Sequence, residues 1–476
     1  MSELRSPLPP VPYQQLKKKS EKELTNLKKI TELPTVSSYS NLVQKRERHI
    51  KKKIERMQNT VELFRPHSGQ KDILEFILND RQVKFIQLVC GRRFGKSLLC
   101  SNLCLYFSLS KPKSEVMYVT PSYRLSKYIF ELVCSAITEK FIFLKKNGIN
   151  KSDLKISFTN GSTIEFVSAN DVIAQNLRGR NCNRLAIIDE AALISTETWE
   201  KILRPIFLLT EKVISVGTPI SKDSWFYQMY QEGLSGNPKY KSFHKPTMSN
   251  PLIDESEIED MKRLLPSHIF SQEVLAEFLE SDQSSVFKGF KECLMPKEDM
   301  VMTGTKFYFG LDIGRKNDFT SLTIFNSKHE MVYINRWNGN SYSFIIQQVA
   351  NVLNAFKPVD GFVETNSIGD IFFEQLKSKY SGKVSSFYTL SKNKQEIVEE
   401  LIVDVEKREV KFYDYPVLLQ EMGNFGMEFS KSKRNIIYAA YGSGHDDTVL
   451  STCFANSCYH KYQKNGKLNY FITKKK

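Results

Sequence analysis

Phe85-Ile86-Gln87-Leu88-Val89-Cys90-Gly91-Arg92-Arg93-Phe94-Gly95-Lys96-Ser97 decides the fold of the first half of this chain. Phe85–Val89 is a short, mostly apolar run of the kind that forms a buried strand. Leu98, Leu99 and Leu103 open an apolar helix beyond it. A strand, a glycine-bearing turn and a helix N-terminus carrying Gly-Lys-Ser form the setting of a phosphate-binding loop. Exposed backbone N–H groups and the helix dipole favour a polyphosphate there. Lys96 is expected to neutralise the β- and γ-phosphates and Ser97 to ligate Mg²⁺. The loop departs from the usual pattern in one respect: Cys90 occupies the first glycine position, and Gly91 falls one residue late.

Outward from this loop, Glu115–Thr120, Leu185–Ile188 and Lys212–Val216 read as further strands alternating with helical stretches. The expectation is an α/β domain over 61–245 with a mainly parallel sheet covered on both faces. Leu185-Ala186-Ile187-Ile188-Asp189-Glu190 is an apolar strand ending in two carboxylates, which packing alone explains poorly. Asp189 suits the Mg²⁺ shell, and Glu190 suits polarising the attacking water. Three weaker features surround this pair. Gln70 carries an amide able to read an adenine edge, Thr218 ends a strand as a possible γ-phosphate sensor, and Arg178 could stabilise charge on a transferring phosphoryl group. Capping, turn formation or surface charge would explain each of them equally well.

The chain has 476 residues, enough for two or three domains, with 41% hydrophobic and 25% charged residues. No apolar run is long enough to span a bilayer, and no signal-peptide pattern opens the sequence. The eight cysteines form no CxxC pair, so buried thiols in a reduced cytoplasm are expected. Of the net charge of +15, residues 1–60 carry +8 (14 Lys/Arg, 6 Asp/Glu) and residues 460–476 carry +6 (6 Lys, no acid). Basic ends of this kind meet phosphate or another acidic partner, or are solvated. The first is read as a partly disordered arm. Residues 246–300, punctuated by Pro246, Pro251 and Pro266, read as a connector with a helix over His268–Glu280.

From 301 to 459 a second domain is expected. Lys306–Leu311, Ser321–Asn326 and Met331–Arg336 lie close together, as in an antiparallel meander. Asn393 and Glu396 read as a capping pair for a helix whose apolar face is Ile397, Leu401 and Val405. Three acidic positions stand out: Asp312 ends one strand, Glu364 ends another, and Asp446-Asp447 opens a helix. Acids at element ends could converge at one edge of a sheet, where hard oxygen ligands suit Mg²⁺ or Mn²⁺ and phosphodiester cleavage. Taken singly these signals are weak. Asp446 reads as a helix N-cap, Asp318 as a turn residue, His445 as a structural or phosphate-facing group, and Lys392 and Lys394 as loop lysines available to a DNA backbone.

In order, these motifs resemble the large terminase subunit of tailed double-stranded DNA phages over residues 62–459. The markers are Pro66–Gln70, Cys90–Ser97, Tyr118–Pro121, Asn160–Ser162, Leu177–Gly179, Ile187–Ala192 and Val216–Pro219, then Phe270–Glu273, Ala276–Phe278, Gly310–Asp312, Glu364 and Gly444–Asp447. The resemblance implies an N-terminal P-loop (ASCE-type) ATPase domain followed by an RNase H-like nuclease domain. It further implies that Lys96 and Ser97 contact phosphate and Mg²⁺, that Asp189 and Glu190 are the Walker B pair, and that Arg178 acts on a neighbour's ATP while Arg92 or Arg93 acts in cis. Asp312, Glu364 and Asp446 or Asp447, with Asp447 preferred, would form the metal triad; Glu364 is longer than the Asp common in relatives. Implied partners are double-stranded DNA, a portal protein, a small terminase subunit and further copies in a ring, in the host cytoplasm. The competing expectation is a helicase-like or repair ATPase whose C-terminal domain is a non-catalytic docking module.

Overall fold

The computed structural model describes residues 66–137, 144–170, 177, 179–280, 285–314, 318–366, 369–429, 436–442 and 444–463. The basic arm over 1–60, Arg178 and the tail beyond 463 lie outside the described residues. Contacts divide the chain into two units, 1–259 with 270–280, and 260–269 with 281–476. The connector expected over 246–300 is therefore shared out, and most of its first part packs into the first unit. There Thr247 N donates to Val274 O (2.8 Å), and the backbone at Leu279 bonds Ile220 and Lys222. The expected helix to Glu280 is only Ser267–Glu273. The chain reverses after it, where Ala276 adopts a left-handed φ of 60°.

The first unit is built on eight strands: β1 (Phe85–Cys90), β2 (Glu115–Thr120), β3 (Leu144–Asn150), β4 (Lys155–Phe158), β5 (Thr163–Ser168), β6 (Leu185–Asp189), β7 (Lys212–Gly217) and β8 (Tyr240–Lys245). Their order is β3-β4-β5-β2-β6-β7-β1-β8. From β5 to β8 every pairing is parallel, while β3 and β4 form an antiparallel edge. Every residue of β6 and β7 is buried, as continuous apolar runs covered on both faces require. The phosphate-loop strand β1 and the acid-bearing strand β6 are not neighbours, because β7 lies between them. That inserted strand is the ASCE arrangement. Helix α1 (Ser68–Asn79) precedes β1. Helix α2 (Lys96–Ser110) follows it and buries Leu99, Cys100, Leu103, Cys104 and Phe107 at helical spacing.

The second unit has a five-stranded sheet in the order β11-β10-β9-β12-β13. The strands are β9 (Phe307–Asp312), β10 (Thr320–Asn326), β11 (Met331–Trp337), β12 (Asp360–Glu364) and β13 (Ser385–Phe387). The first three form the expected antiparallel meander, and β12 then pairs with β9 in parallel. This is the RNase H-like order. Helix α3 (Ser391–Glu406) buries Ile397, Leu401 and Val405 as expected. Its start differs from the sequence reading. Asn393 is the third helical residue, and its Oδ1 accepts from Leu390 N at 2.6 Å; Glu396 faces Lys392 at 3.8 Å. Strands β14 (Phe425–Phe429) and β15 (Ile436–Ala440) form a separate antiparallel pair.

The long helix α4 (Asp447–Gln463) crosses the sheet at close range over Gly310. A Cβ at Gly310 would lie 2.2 Å from both Ser451 O and Ala455 N, and backbone cannot yield there. A buried polar network fixes the far end of the helix. Asn456 Nδ2 and His460 Nε2 reach Asp404 on α3 at 2.8 and 2.7 Å, and His329 reaches Asn456 at 2.5 Å. Gly310→Ala is therefore expected to destabilise the second unit by about 1–3 kcal/mol, the usual cost of overpacking. Denaturant unfolding would measure it, and an unchanged midpoint would mean that the helix does not sit this close.

Candidate active sites

The phosphate loop in the first unit is held by segments far from it in sequence. Gly91 N donates to Lys245 O (2.9 Å), Arg92 N to Glu273 O (2.7 Å), Thr247 Oγ1 to Arg92 O (2.9 Å) and Asn250 Nδ2 to Arg93 O (2.8 Å). Arg93 and Gly95 take left-handed φ values of 61° and 91°. Glycine adopts this freely, whereas arginine needs the surrounding bonds to hold it. His67 Nε2 and Gln70 Nε2 brace the other side, bonding Phe94 O at 2.9 and 3.2 Å; Gln70 also reaches Gly95 O. Gln70, expected to read adenine, thus spends its donor on the loop. Its Oε1 is buried without a hydrogen-bond partner among the described residues.

Lys96 Nζ donates to Gly91 O (3.1 Å), Cys90 O (3.4 Å) and Thr218 Oγ1 (3.1 Å). Thr218 follows β7, so the inserted strand delivers the expected sensor hydroxyl to the loop lysine. Ser97 Oγ donates to Asp189 Oδ2 (3.3 Å). The two residues assigned to Mg²⁺ thus meet, although 92 positions separate them. Sequence reading missed Tyr118, whose hydroxyl donates to the same oxygen at 2.7 Å from the fully buried middle of β2. Tyr118 stood in the Tyr118–Pro121 marker, but that gave its hydroxyl no role, because the pairing of β2 with β6 is long-range. Glu190 sits at φ 48°, in the left-handed region, immediately beyond β6. Burial raises the carboxyl pKa of both acids; Lys96 opposes this at each, and the Asp189 charge adds to the rise at Glu190. Burial also pushes the Cys90 thiol up to about 12, so the cysteine in the loop is a neutral packing group whose carbonyl serves the lysine.

The second constellation lies at the C-terminal ends of β9 and β12. Leu311 pairs with Val363, so Asp312 and Glu364 are the next residues on two adjacent parallel strands. The Asp312 carboxyl stands well above the usual range. Burial is the first cause, followed by the charge of Glu364 and a hydrogen bond with it, then the charges of Asp447 and Asp446. The other three acids singled out in the sequence are thus brought within electrostatic reach of Asp312. Asp447 is 6% exposed, and its Oδ2 has no hydrogen-bond partner among the described residues. Its pKa is raised to about 7 by burial and then by the charges of Glu421, Asp318 and Asp446. Asp446 is half-buried and already paired with Lys394 at 3.4 Å. The orphaned oxygen makes Asp447 the better candidate ligand, and Lys394 acquires an account that does not involve DNA.

The N-cap reading of Asp446 holds for its backbone, which accepts from Leu450 N (2.9 Å). The side-chain cap comes instead from Glu421, which accepts from Thr448 N (2.8 Å) and the Thr448 hydroxyl and is paired with Arg336 (2.7 Å). Asp318 and His445, read as turn and structural residues, converge with Asp447, their ligand atoms all within 4.8 Å of one another. His445 Nδ1 lies 3.5 Å from Asp447 Oδ2 and 3.6 Å from Asp318 Oδ1, with its ring edge-on to Phe319. Their proximity in sequence to Asp312 and Asp447 was the only available signal. Asp312 and Asp447, buried and crowded by further carboxylates, offer hard oxygen donors that fit a divalent metal by their chemistry.

An ASCE-type phosphate-loop fold and an RNase H-like fold with clustered acids define a class: an ATPase joined to a nuclease. Residues 88–293 match the model of the family described as terminase large subunit, T4likevirus-type, N-terminal. The chain is 24% identical over 439 residues to the large terminase subunit of Thermus virus P23-45, covering 83% of this chain and 88% of that one. It is 23% identical over 439 residues to that of Thermus phage G20c. The solved structure of a large terminase from another thermophilic bacteriophage is similar in fold, with a TM-score of 0.50 at 13% identity over 83% of this chain and 99% of that one. The chain is thus similar to phage terminase large subunits over most of its length.

The Asp447 shift carries a pH prediction. A carboxyl raised on folding is penalised once ionised, so the penalty begins above the unfolded value of about 3.9 and is complete above about 7. In EDTA, Asp447→Asn should therefore raise the melting midpoint of the second unit at pH 8 and leave it nearly unchanged at pH 4. Thermal unfolding monitored at both pH values would decide it. Equal effects at both would contradict the like-charge crowding.

Proposed function

We propose that this chain is a DNA-packaging motor fused to a metal-dependent endonuclease, with separable active sites in its two units. The observation that carries the reading is the gathering of Glu364, Asp446 and Asp447 around Asp312 at the C-terminal ends of β9 and β12 in one unit, with the phosphate-loop constellation built in the other. A docking module has no need of buried, mutually repelling carboxylates, which counts against the helicase-like or repair alternative.

In the ATPase unit, taken as 66–259 with 270–280, Lys96 and the loop amides would hold the triphosphate of ATP, and Ser97 and Asp189 would hold its Mg²⁺. Glu190 takes the proton of the attacking water, and Tyr118 fixes the orientation of Asp189. Arg178 is assigned to a neighbouring subunit's nucleotide, on the resemblance alone. In the nuclease unit, Asp312, Glu364 and Asp447, with Asp446 beside them, would hold Mg²⁺ or Mn²⁺, which supplies water activation and leaving-group stabilisation when bound. Phosphodiester cleavage of concatemeric DNA is the matching reaction. The relatives' identity as terminases supports double-stranded DNA as substrate. Further assigned partners are a portal protein, a small terminase subunit and other copies of this chain in a ring, all in the infected host's cytoplasm.

Separability gives the test. Asp312→Ala should abolish Mn²⁺-dependent plasmid cleavage while ATP turnover persists, and Lys96→Ala should do the reverse. Colorimetric phosphate release and gel assays on the full chain would check both. Cleavage that survives Asp312→Ala, or loss of both activities in either variant, contradicts the reading.

A further inference from the structure

Helix α4 begins at an acid assigned to the metal, and its first turn is held from outside. Glu421, in the helix Pro416–Gly423, is 5% exposed. Its Oε2 accepts from Thr448 N at 2.8 Å and from the Thr448 hydroxyl, while Oε1 accepts from Arg336 Nη1 at 2.7 Å. Arg336 is fixed in turn. It pairs with Ser321 in the β10–β11 ladder, and its guanidinium lies over the Phe319 ring, 3.8 Å from the centroid. A carboxylate at a helix N-terminus answers unpaired N–H groups and the helix dipole. A guanidinium on its second oxygen fixes the direction of that carboxylate.

The rest of α4 is anchored without Glu421. Ser451 Oγ meets the hydroxyls of Ser321 and Thr323 at 2.8 and 2.9 Å, and Asn456 and His460 reach Asp404. The first turn alone depends on this glutamate, and Asp447 is the residue before Thr448. Asp447 Oδ2 has no hydrogen-bond partner among the described residues, and His445 Nδ1 approaches it only to 3.5 Å. The place of this carboxylate is therefore set by the backbone of the first turn, and that backbone by Glu421.

We propose that Glu421, held by Arg336, is a positioning residue for the nuclease metal site: it pins Thr448 and so sets where the Asp447 carboxylate stands. The proposal rests on the nuclease reading of this site. Groups that orient a metal ligand govern affinity by roughly 10–100-fold. A role in direction and a role in charge predict opposite signs at Arg336. Removing a nearby positive charge would by itself tighten cation binding. Removing the group that aims Glu421 loosens it.

The experiment titrates the nucleotide-free full chain with Mn²⁺ and reads the free-ion electron paramagnetic signal, counting only the binding lost in Asp312→Asn/Glu364→Gln. Glu421→Ala should raise the dissociation constant by about tenfold or more, with plasmid nicking largely restored at saturating Mn²⁺. Arg336→Gln should also weaken binding, by about threefold or more. A merely structural loss lowers the folded fraction, and with it the amplitude, but leaves the half-saturating concentration unchanged. Unchanged affinity in Glu421→Ala, or binding by Arg336→Gln as tight as that of the parent chain or tighter, overturns the proposal. If Glu421→Ala does not fold, as judged by its melting transition, the sign of the Arg336→Gln effect decides alone. A parent chain with no manganese binding dependent on Asp312 and Glu364 overturns the nuclease reading itself; a parent that binds, with Glu421→Ala unaffected, overturns only the role of Glu421.

Discussion

Like charges forced together out of water are the constraint on which the second half of this protein turns. A buried carboxylate is costly, and a second one beside it raises the cost further unless a proton or a cation intervenes. Asp312, Glu364 and Asp447 cannot avoid one another. Two terminate adjacent parallel strands, and the third opens a helix pressed against the same sheet. That helix can come so close because Gly310 offers no Cβ to Ser451 and Ala455. A structural acid cluster would be expected to recruit lysine or arginine. Here the nearby lysine and arginine pair with flanking acids, Lys394 with Asp446 and Arg336 with Glu421, and neither pairs with Asp312, Glu364 or Asp447.

The first unit solves the opposite problem, gathering positive potential for a polyanion. Its loop is shaped less by its own residues than by the segments clamped around it. Thr247, Asn250 and Glu273 take up the loop's carbonyls and one of its N–H groups, while His67 and Gln70 brace the other side. Strand order completes the site: β7 separates β1 from β6 and delivers Thr218 to Lys96, and β2 delivers Tyr118 to Asp189. The acidic and basic sites thus follow one rule, that strand ends carry the charge and the sheet supplies the register.

Much of this was legible in the sequence because it is local. The Phe85–Ser97 stretch announces strand, loop and helix, and the runs ending at Asp189 and Asp312 announce strands with acids at their ends. What could not be read depends on long-range pairing. Nothing adjacent to Tyr118 says that its hydroxyl faces Asp189, and nothing near Glu421 says that it caps a helix beginning at Asp447. The reading of 246–300 as a connector failed for a related reason. Prolines and irregular periodicity signal a lack of regular structure, but an irregular segment can still be buried, and Thr247, Asn250 and Val274 are. Asn393 was misplaced within its helix because a side chain bonding back to a backbone N–H serves at either the first or the third position.

The central claim is that the crowded acids of the second unit are a metal site and not a packing feature. Manganese binding to the nucleotide-free full chain, followed by the loss of the free-ion electron paramagnetic signal, tests it without relying on catalysis. The account predicts a binding event that disappears when Asp312 and Glu364 are replaced together by Asn and Gln, with the fold intact by circular dichroism. Equal manganese uptake by the parent chain and that double variant would contradict it.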